Sequence, residues 1–204
     1  MSIPSYLQDF VVSIDTETAV LGDHVIEVGI SIFKGGELIS EYGTLVKPIV
    51  PIDPKASEVH HIYDKDLIDA PSFADIAQNI HNSISFANVM LAYNWDYDAT
   101  VLNKEFNRLG IKLPNKPMVD PLIFFKQYHK FNKGKKLIDA ASKFGIKYIG
   151  AHRAVNDATV AGRVLFRMAA LKPDFPKTLK DLVVKQRQWI ELQFKDYDSY
   201  CKKV

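Results

Sequence analysis

Apolar and polar positions follow a strand-like pattern in the first quarter of the chain. Residues 10–14, Phe-Val-Val-Ser-Ile, form a short β-rich run typical of a strand buried on both faces. Residues 25–33 and 37–46 are two further β-rich segments, and the Gly35-Gly36 pair between them predicts a tight hairpin turn. We therefore expect three antiparallel strands at the start of the fold.

From residue 72 onward the apolar positions mostly follow a helical period. Residues 72–81 form an amphipathic helical pattern, residues 89–93 read as a buried strand, and a helix carrying Val101, Leu102 and Phe106 on one face follows. Further segments are a short strand at residues 118–119 and helices at residues 122–128, 137–144 and 156–170. Strands first and alternating segments afterwards predict an α/β fold, with a central mixed five-stranded sheet flanked by helices.

Prolines interrupt these patterns twice. Three prolines between residues 48 and 54 mark a connection after the third strand, and Pro173 and Pro176 precede a final apolar stripe at residues 178–202. We therefore divide the chain into a domain at residues 1–172 and a C-terminal helical extension at residues 173–204. The extension either packs on the domain or binds a partner, because one apolar stripe suits both uses.

Composition limits the class of protein. The 204 residues are 47% hydrophobic and 25% charged, which is typical of a globular domain. The sequence has a single cysteine, Cys201, which excludes an intramolecular disulfide and a thiolate metal cluster. No apolar run is long enough to cross a bilayer, so we expect a soluble, cytoplasmic protein without a membrane partner. The net charge of +2 neither requires nor excludes a polyanionic substrate.

The first candidate chemistry is the acidic pair Asp15 and Glu17, directly after the first strand-like run. In a strand, side chains two residues apart project from the same face, so both carboxylates would share one small volume. That arrangement is unfavourable unless a cation neutralises it, and Mg²⁺ or Mn²⁺ prefers such oxygen ligands. Asp-Thr-Glu-Thr is also a common surface sequence, so the pair alone does not establish a metal site.

Two later segments add candidates. Asp96 and Asp98 both follow the strand at residues 89–93; Asp96 is best explained as an ordinary helix cap or first-turn residue, whereas a cap explains Asp98 less well. His152 precedes a predicted helix that begins near Asp157, and a histidine has a pKa suited to accepting a proton from water near neutrality. A His and Asp pair by itself is more often a solvated surface pair.

Taken in order, these segments resemble the DEDDh branch of the DnaQ-like 3′–5′ exonucleases, which includes the epsilon subunit of bacterial replicative polymerase, RNase T and oligoribonuclease. The motifs are Asp-Thr-Glu-Thr at residues 15–18, Asn-Trp-Asp-Tyr-Asp at residues 94–98 and His-Arg-Ala-Val-Asn-Asp at residues 152–157. His152 lies five positions before Asp157, as in the histidine branch; the tyrosine branch would have Tyr in place of Arg153. The resemblance covers about residues 9 to 170.

Additional segments are similar to family segments. They are Val-Ile-Glu-Val-Gly at residues 25–29, Ala-Ser-Glu-Val-His-His-Ile at residues 56–62, and the segments around Asp120 and Asp139. Ala19 and Tyr93 depart from the family, which commonly has Gly and His there, and this leaves the substrate preference open.

The resemblance implies a ribonuclease H-like fold and a metal-dependent 3′–5′ exonuclease. Its expected reaction is two-metal-ion hydrolysis that releases nucleoside 5′-monophosphates from a nucleic acid 3′ end, with single-stranded DNA favoured over RNA. The implied cofactors are two Mg²⁺ or Mn²⁺ ions. The implied site residues are Asp15, Glu17, Asp98 and Asp157 as metal ligands, His152 as general base, and Thr18, Leu21, His60 and Asn94 as substrate contacts.

Two other functions compete with this interpretation. The chain could be a proofreading or accessory subunit that acts mainly by binding a DNA polymerase or sliding clamp through the segment after Pro173. It could also be a catalytically silent nucleic-acid-binding module, but the complete set of four acids and a histidine argues against that function.

Overall fold

The computed structural model describes residues 3–131 and 133–201, with side chains through residue 196, and contains one five-stranded sheet. The strands are β1 (Phe10–Val20), β2 (Asp23–Lys34), β3 (Glu37–Leu45), β4 (Val89–Leu91) and β5 (Met118–Val119). Their spatial order is β3-β2-β1-β4-β5; the first three are antiparallel, and β4 and β5 join in parallel. The predicted mixed sheet is therefore confirmed.

Helices cover both faces of this sheet. They are α1 (Pro54–His60), α2 (Phe73–Phe86), α3 (Trp95–Arg108), α4 (Pro121–Tyr128), α5 (Leu137–Lys143), α6 (Ala154–Leu171) and α7 (Leu179–Cys201). Successive β1 residues supply opposite faces: Val11 joins a core shared with α4 to α7, and Val12 joins a core shared with α2 and α3. Within the described residues, no helix has the length and apolar content needed to cross a membrane.

The first strand is longer than its apolar run predicts. It continues to Val20 because β2 pairs with it along its whole length, whereas β4 pairs only with Val11, Val12 and Ser13. Asp15 and Glu17 therefore lie inside a strand and beyond the end of β4, so their predicted position at the strand's end was wrong. The pairing with β2 holds both carboxylates on a rigid strand, at the end of the sheet where β4 no longer pairs with β1.

A short helix, α1, occupies the region predicted as a connection. Asp53 is its N-cap, where Oδ1 accepts a hydrogen bond from the Lys55 N–H at 2.8 Å, and Pro54 takes the first helical position. At the start of α3, Asn94 is the N-cap and Asp96 is a first-turn residue, which is one of the two roles predicted for it.

The N-terminus of α6 lies directly on β2. A Cβ atom added to Gly29 would overlap the backbone of Ala154 and Val155, so only glycine allows this approach. The contact places the first turn of α6, which contains Asp157, beside the central strands.

The C-terminal helix α7 packs on the rest of the chain along α4 and β5. Trp189 is buried with its ring 5.0 Å from that of Phe124, and Leu182 is fully buried. The buried Gln186 accepts a hydrogen bond from the Asp120 N–H at 2.8 Å. Part of the helix surface stays apolar and exposed, as at Phe194. The division of the chain at residue 172 remains a prediction.

Candidate active site

Three elements bring the predicted metal ligands together. Asp15 and Glu17 project from one face of β1, and α6 crosses that face with Asp157 in its first turn. One ligand atom from each of Glu17, His152 and Asp157 lies within 4.8 Å of the other two. Asp15 interacts electrostatically with Asp98 as well as with Asp157 and Glu17. All four predicted carboxylates and the predicted base therefore belong to one cluster.

Asp98 reaches this cluster from the first turn of α3. Its side chain is buried, and its Oδ1 accepts a hydrogen bond from the Thr16 hydroxyl at 2.8 Å. The helix start is held by Asp120, whose carboxylate accepts hydrogen bonds from the N–H groups of Asn94 at 3.0 Å and Trp95 at 3.1 Å. Asp120 thus satisfies N–H groups that a helix N-terminus leaves without partners, and it fixes the approach of Asp98.

Burial and mutual repulsion make the carboxylates hard to ionise together. Burial raises the pKa of Asp15 well above its usual range, and Asp98, Asp157 and Glu17 raise it further. The pKa of Glu17 rises to about 8, first through burial and then through Asp157. Burial also raises the pKa of Asp98, against the lowering effect of the Thr16 hydrogen bond. Near neutral pH the cluster therefore favours either protons or a cation.

The donor atoms fit a hard divalent cation. Asp157 Oδ1 is buried and has no hydrogen-bond partner among the described residues, which leaves a carboxylate oxygen free to bind a ligand. Carboxylate oxygens on converging elements are the ligands that Mg²⁺ and Mn²⁺ prefer. The cluster of Glu17, His152 and Asp157 therefore satisfies the chemistry of the predicted cofactor.

A different acid, Glu27, holds the loop that carries His152. Glu27 is almost completely buried and lies opposite Glu17 in the β1–β2 register. Its Oε1 accepts hydrogen bonds from Arg153 Nε at 2.9 Å and Nη2 at 2.7 Å, and its Oε2 accepts one from the Ala154 N–H at 3.1 Å. The two residues after His152 are therefore fixed to β2, while His152 itself is exposed with a left-handed φ of 63°.

The sequence prediction missed this role of Glu27. A signal was present, because the acid interrupts the apolar run Val-Ile-Glu-Val at residues 25–28. A charged residue in a buried strand requires a partner, and Arg153 supplies the positive charge. The sequence does not show which cation faces it.

Tyr148 is a second residue that sequence reasoning missed. Burial raises the pKa of Asp157, and an interaction with the Tyr148 side chain offsets this only in part. Burial first, and then Asp157, raises the pKa of Tyr148 itself. Tyr148 lies in the segment between α5 and α6, where no periodic pattern signals a side chain directed at the acids.

Two predicted substrate contacts, His60 and Thr18, lie beside the cluster. His60 is buried at the end of α1; its Nδ1 accepts a hydrogen bond from the Ile62 N–H at 3.0 Å, and Nε2 faces the Thr18 backbone without an ordinary hydrogen bond. Burial lowers the pKa of His60. The Thr18 hydroxyl is 2.7 Å from the Tyr97 hydroxyl, so its side chain already has a partner within the fold.

The other two predicted contacts, Leu21 and Asn94, are exposed. Leu21 lies at the tip of the β1–β2 hairpin with 91% of its surface accessible. Asn94 has a left-handed φ of 76°, and its side chain makes no capping hydrogen bond to α3. The structure shows neither side chain in contact with the four carboxylates.

A second acidic group shows that acids alone do not define the site. Asp23, His24 and Glu105 also offer ligand atoms within 4.8 Å of one another. Here Lys104 pairs with Asp23 at 3.3 Å, and Arg108 pairs with both Asp23 and Glu105. Burial raises the pKa of Asp23, but hydrogen bonds from Arg108, the His24 N–H and Lys104 lower it to about 2. This group is neutralised by the protein's own cations and anchors the hairpin to α3.

Known structures share this architecture. Exonuclease X in complex with 5′ overhanging duplex DNA matches with a TM-score of 0.68 and 19% identity over 84% of this chain and 98% of that chain. The nuclease domain of 3′hExo, a DEDDh family member bound to rAMP, matches with a TM-score of 0.70 and 17% identity over 85% and 97%. E. coli exonuclease I in complex with a dA16 oligonucleotide matches with a TM-score of 0.72 and 18% identity over 81% of this chain and 42% of that chain. These likenesses confirm the predicted ribonuclease H-like fold.

Sequence relatives agree with the fold. The chain is 28% identical over 183 residues to the 3′–5′ exonuclease DinG of Staphylococcus aureus, strain USA300, which covers 89% of this chain. It spans only 20% of the length of that relative. The family model for the RNase T exonucleases matches residues 12–165, a span that includes all four carboxylates and His152. This chain belongs to the RNase T exonuclease family, as its ordered motifs predicted.

Proposed function

We propose that this chain is a metal-dependent 3′–5′ exonuclease that removes nucleoside 5′-monophosphates from the 3′ end of DNA in preference to RNA. The observation that carries the proposal is the convergence of Asp15, Glu17, Asp98 and Asp157 with His152. None of the four carboxylates has an ion pair with a described residue, in contrast to the neutralised group around Asp23. A cluster of carboxylates without such ion pairs is suited to binding a metal cation.

The metal ligands in this proposal are Asp15, Glu17, Asp98 and Asp157, which would hold two Mg²⁺ or Mn²⁺ ions. Bound ions of this kind activate water and stabilise the charge on the attacking and leaving oxygens of an in-line displacement. The chain's contribution is to place the oxygen ligands on three elements whose backbones are fixed. Thr16 and Asp120 orient the α3 ligand, and the β1–β2 pairing orients the two strand ligands.

His152 is the proposed proton acceptor. Its imidazole is exposed and lies within 4.8 Å of Glu17 and Asp157, so it can meet a water molecule beside the acids. An imidazole nitrogen would take the proton of the attacking water, which general-base catalysis requires near neutral pH. Glu27 keeps the loop in place through Arg153, which limits the motion of the base.

The terminal nucleotide would lie between the acids and the four predicted contacts. In this proposal the backbone at Thr18, the buried His60 and the exposed side chains of Leu21 and Asn94 would contact that nucleotide. The solved complexes of exonuclease X and exonuclease I contain DNA, which supports DNA as the favoured polymer. The 3′hExo domain was bound to rAMP, so the sugar preference needs a direct test.

Digestion of 5′-labelled oligonucleotides tests this function. We expect single-stranded DNA to shorten from its 3′ end with Mg²⁺ or Mn²⁺, faster than a short RNA or a duplex with a 3′ mismatch, and to stay intact with EDTA. Asp98→Asn should abolish the ladder, and Asp96→Asn, two residues away and exposed, should keep it. Activity that survives EDTA or Asp98→Asn would overturn the proposed mechanism, and equal rates on RNA would overturn the DNA preference.

Binding to a polymerase or sliding clamp through the segment after Pro173 stays a prediction. The apolar side of α7 that includes Leu182 and Trp189 is used internally against α4 and β5. The exposed Ile190, Leu192 and Phe194 would have to carry such a contact. No observation favours this function over exonuclease activity.

A further inference from the structure

A basic groove runs along the outer side of α6, away from the four carboxylates. One part, with a volume of about 410 Å³, is lined by Lys147, Arg163, Phe166 and Arg167. An adjoining part of about 290 Å³ shares Lys147 and Arg163 and continues to Asn156. We name the two parts together the α6 groove.

The positive charges of the α6 groove are not used within the fold. Arg163 and Arg167 are exposed one helical turn apart, and neither they nor the exposed Lys147 have an ion pair or hydrogen bond in the described part of the chain. The carboxylate that lines the groove is Glu41 of β3, which accepts a hydrogen bond from Thr159. Three cations therefore face one anion, and a further anion would be attracted there.

The groove begins at the loop that carries the proposed base. The side-chain amide of Asn156 donates to the Gly150 carbonyl at 2.9 Å, two residues before His152. Lys147 precedes Tyr148, whose side chain interacts with Asp157. At 1.5 Å per residue, Arg167 lies about 15 Å along α6 from Asp157. Along the axis of a DNA duplex, each strand places a phosphate about every 3.4 Å, so this distance spans several of them.

We propose that the α6 groove binds the sugar–phosphate backbone of a nucleic acid several nucleotides away from the 3′ end under cleavage. The inference rests on the proposed function, because it treats the carboxylate cluster as the site of that cleavage. Arginine guanidinium groups favour phosphate oxygens, which they can contact through paired N–H donors. The only aromatic ring in the lining, Phe166, is buried, so contact with the backbone is favoured over base stacking.

The test compares a long and a minimal substrate in the variant R163Q/R167Q. The long substrates are a 20-nucleotide single strand and a duplex with a 3′ overhang; the minimal one is the p-nitrophenyl ester of thymidine 5′-monophosphate, which is too short to reach the groove. We expect KM for the long substrates to rise roughly tenfold and the salt dependence of log KM to weaken by about two slope units. Hydrolysis of the ester should not change.

The matched control is Arg187→Gln, which removes an exposed arginine from α7 and should leave KM for both long substrates unchanged.

A larger rise in KM on the duplex assigns the groove to the complementary strand, and an equal rise on both long substrates assigns it to the cleaved strand. An unchanged KM in R163Q/R167Q, or an equal rise in the control, would overturn the proposal that the groove binds nucleic acid. If the wild-type protein cleaves nothing, the proposed function fails. The groove is then tested by fluorescence anisotropy, in which R163Q/R167Q should bind a labelled 20-nucleotide strand more weakly than the wild type, and equal binding would overturn the proposal.

Discussion

The acidic cluster and the α4–α7 contact both bury side chains, but burial has opposite effects on the stability of the fold in the two regions. Between α4 and α7, the rings of Phe124 and Trp189 meet at 5.0 Å, and the polar Gln186 has a partner for its buried amide oxygen. At the acidic cluster, the pKa of Asp15 is raised, and Asp157 Oδ1 has no partner among the described residues. The first region stabilises the fold, whereas the second holds unfavourable charge in place for a ligand. Substitutions should therefore separate activity from stability.

The largest expected effect is on activity, in Asp15→Asn. We expect kcat/KM with Mg²⁺ to fall at least 10³-fold, equivalent to roughly 4 kcal/mol, because a proposed metal ligand is lost. The free energy of unfolding without metal should stay equal or rise, since repulsion by Asp98, Asp157 and Glu17 is relieved. Steady-state kinetics and urea unfolding measure the two quantities. Asp9→Asn, an exposed acid just before β1, should change neither; a marked loss of stability in Asp15→Asn would contradict the comparison.

Trp189→Ala should give the opposite result at the α4–α7 contact. Removing this buried ring should lower the free energy of unfolding by about 3 kcal/mol, because a cavity opens beside Phe124 and Tyr128. Well below the melting temperature, kcat/KM should be unchanged. Phe194→Ala on the same helix is the control, since its side chain is 73% exposed and its loss should shift stability by less than about 0.5 kcal/mol. Equal destabilisation by both variants would show that α7 does not pack as described.

Glu27→Gln tests whether a buried ion pair on β2 supports the acidic cluster by holding the loop that carries His152. We expect kcat to fall roughly 10- to 100-fold, or about 1.4 to 2.7 kcal/mol, with little change in KM, since the loop carrying His152 loses its charged anchor. Arg153→Gln should have a similar effect, and the double variant should be no worse than either single one. Additive losses would mean that the ion pair does not act as a unit.

The smallest expected effect is the pH dependence of stability without metal. The pKa of Glu17 is about 8 in the folded chain and near 4.5 in the unfolded chain, so the folded state binds more protons between these values. The free energy of unfolding should therefore fall as pH rises from 7 to 8, by roughly 1 kcal/mol. Mg²⁺ should raise the melting temperature more at pH 8 than at pH 6. Glu17→Gln should flatten the slope, and an unchanged slope in that variant would contradict the assignment.

Sequence patterns predicted the sheet because β-rich apolar runs come first in the chain and Gly35-Gly36 separates two of them. They missed α1 because Pro54 was interpreted as a break, although a proline after Asp53 is also a common helix start. The four acids and His152 were found through their order in the chain. The contacts of Tyr148 and Glu27 were not found, because each depends on which distant residue the fold places opposite.

The helix α7 also has a consequence for moving this nuclease into other proteins. The family match ends at residue 165, but Gln186 of α7 bonds the backbone of Asp120, and the Asp120 carboxylate in turn holds the start of the helix that carries Asp98. A fusion cut at the edge of the family match would remove this support along with Trp189. A transferable unit that keeps this packing must therefore include the part of α7 with Gln186 and Trp189, beyond the residue at which the family match ends.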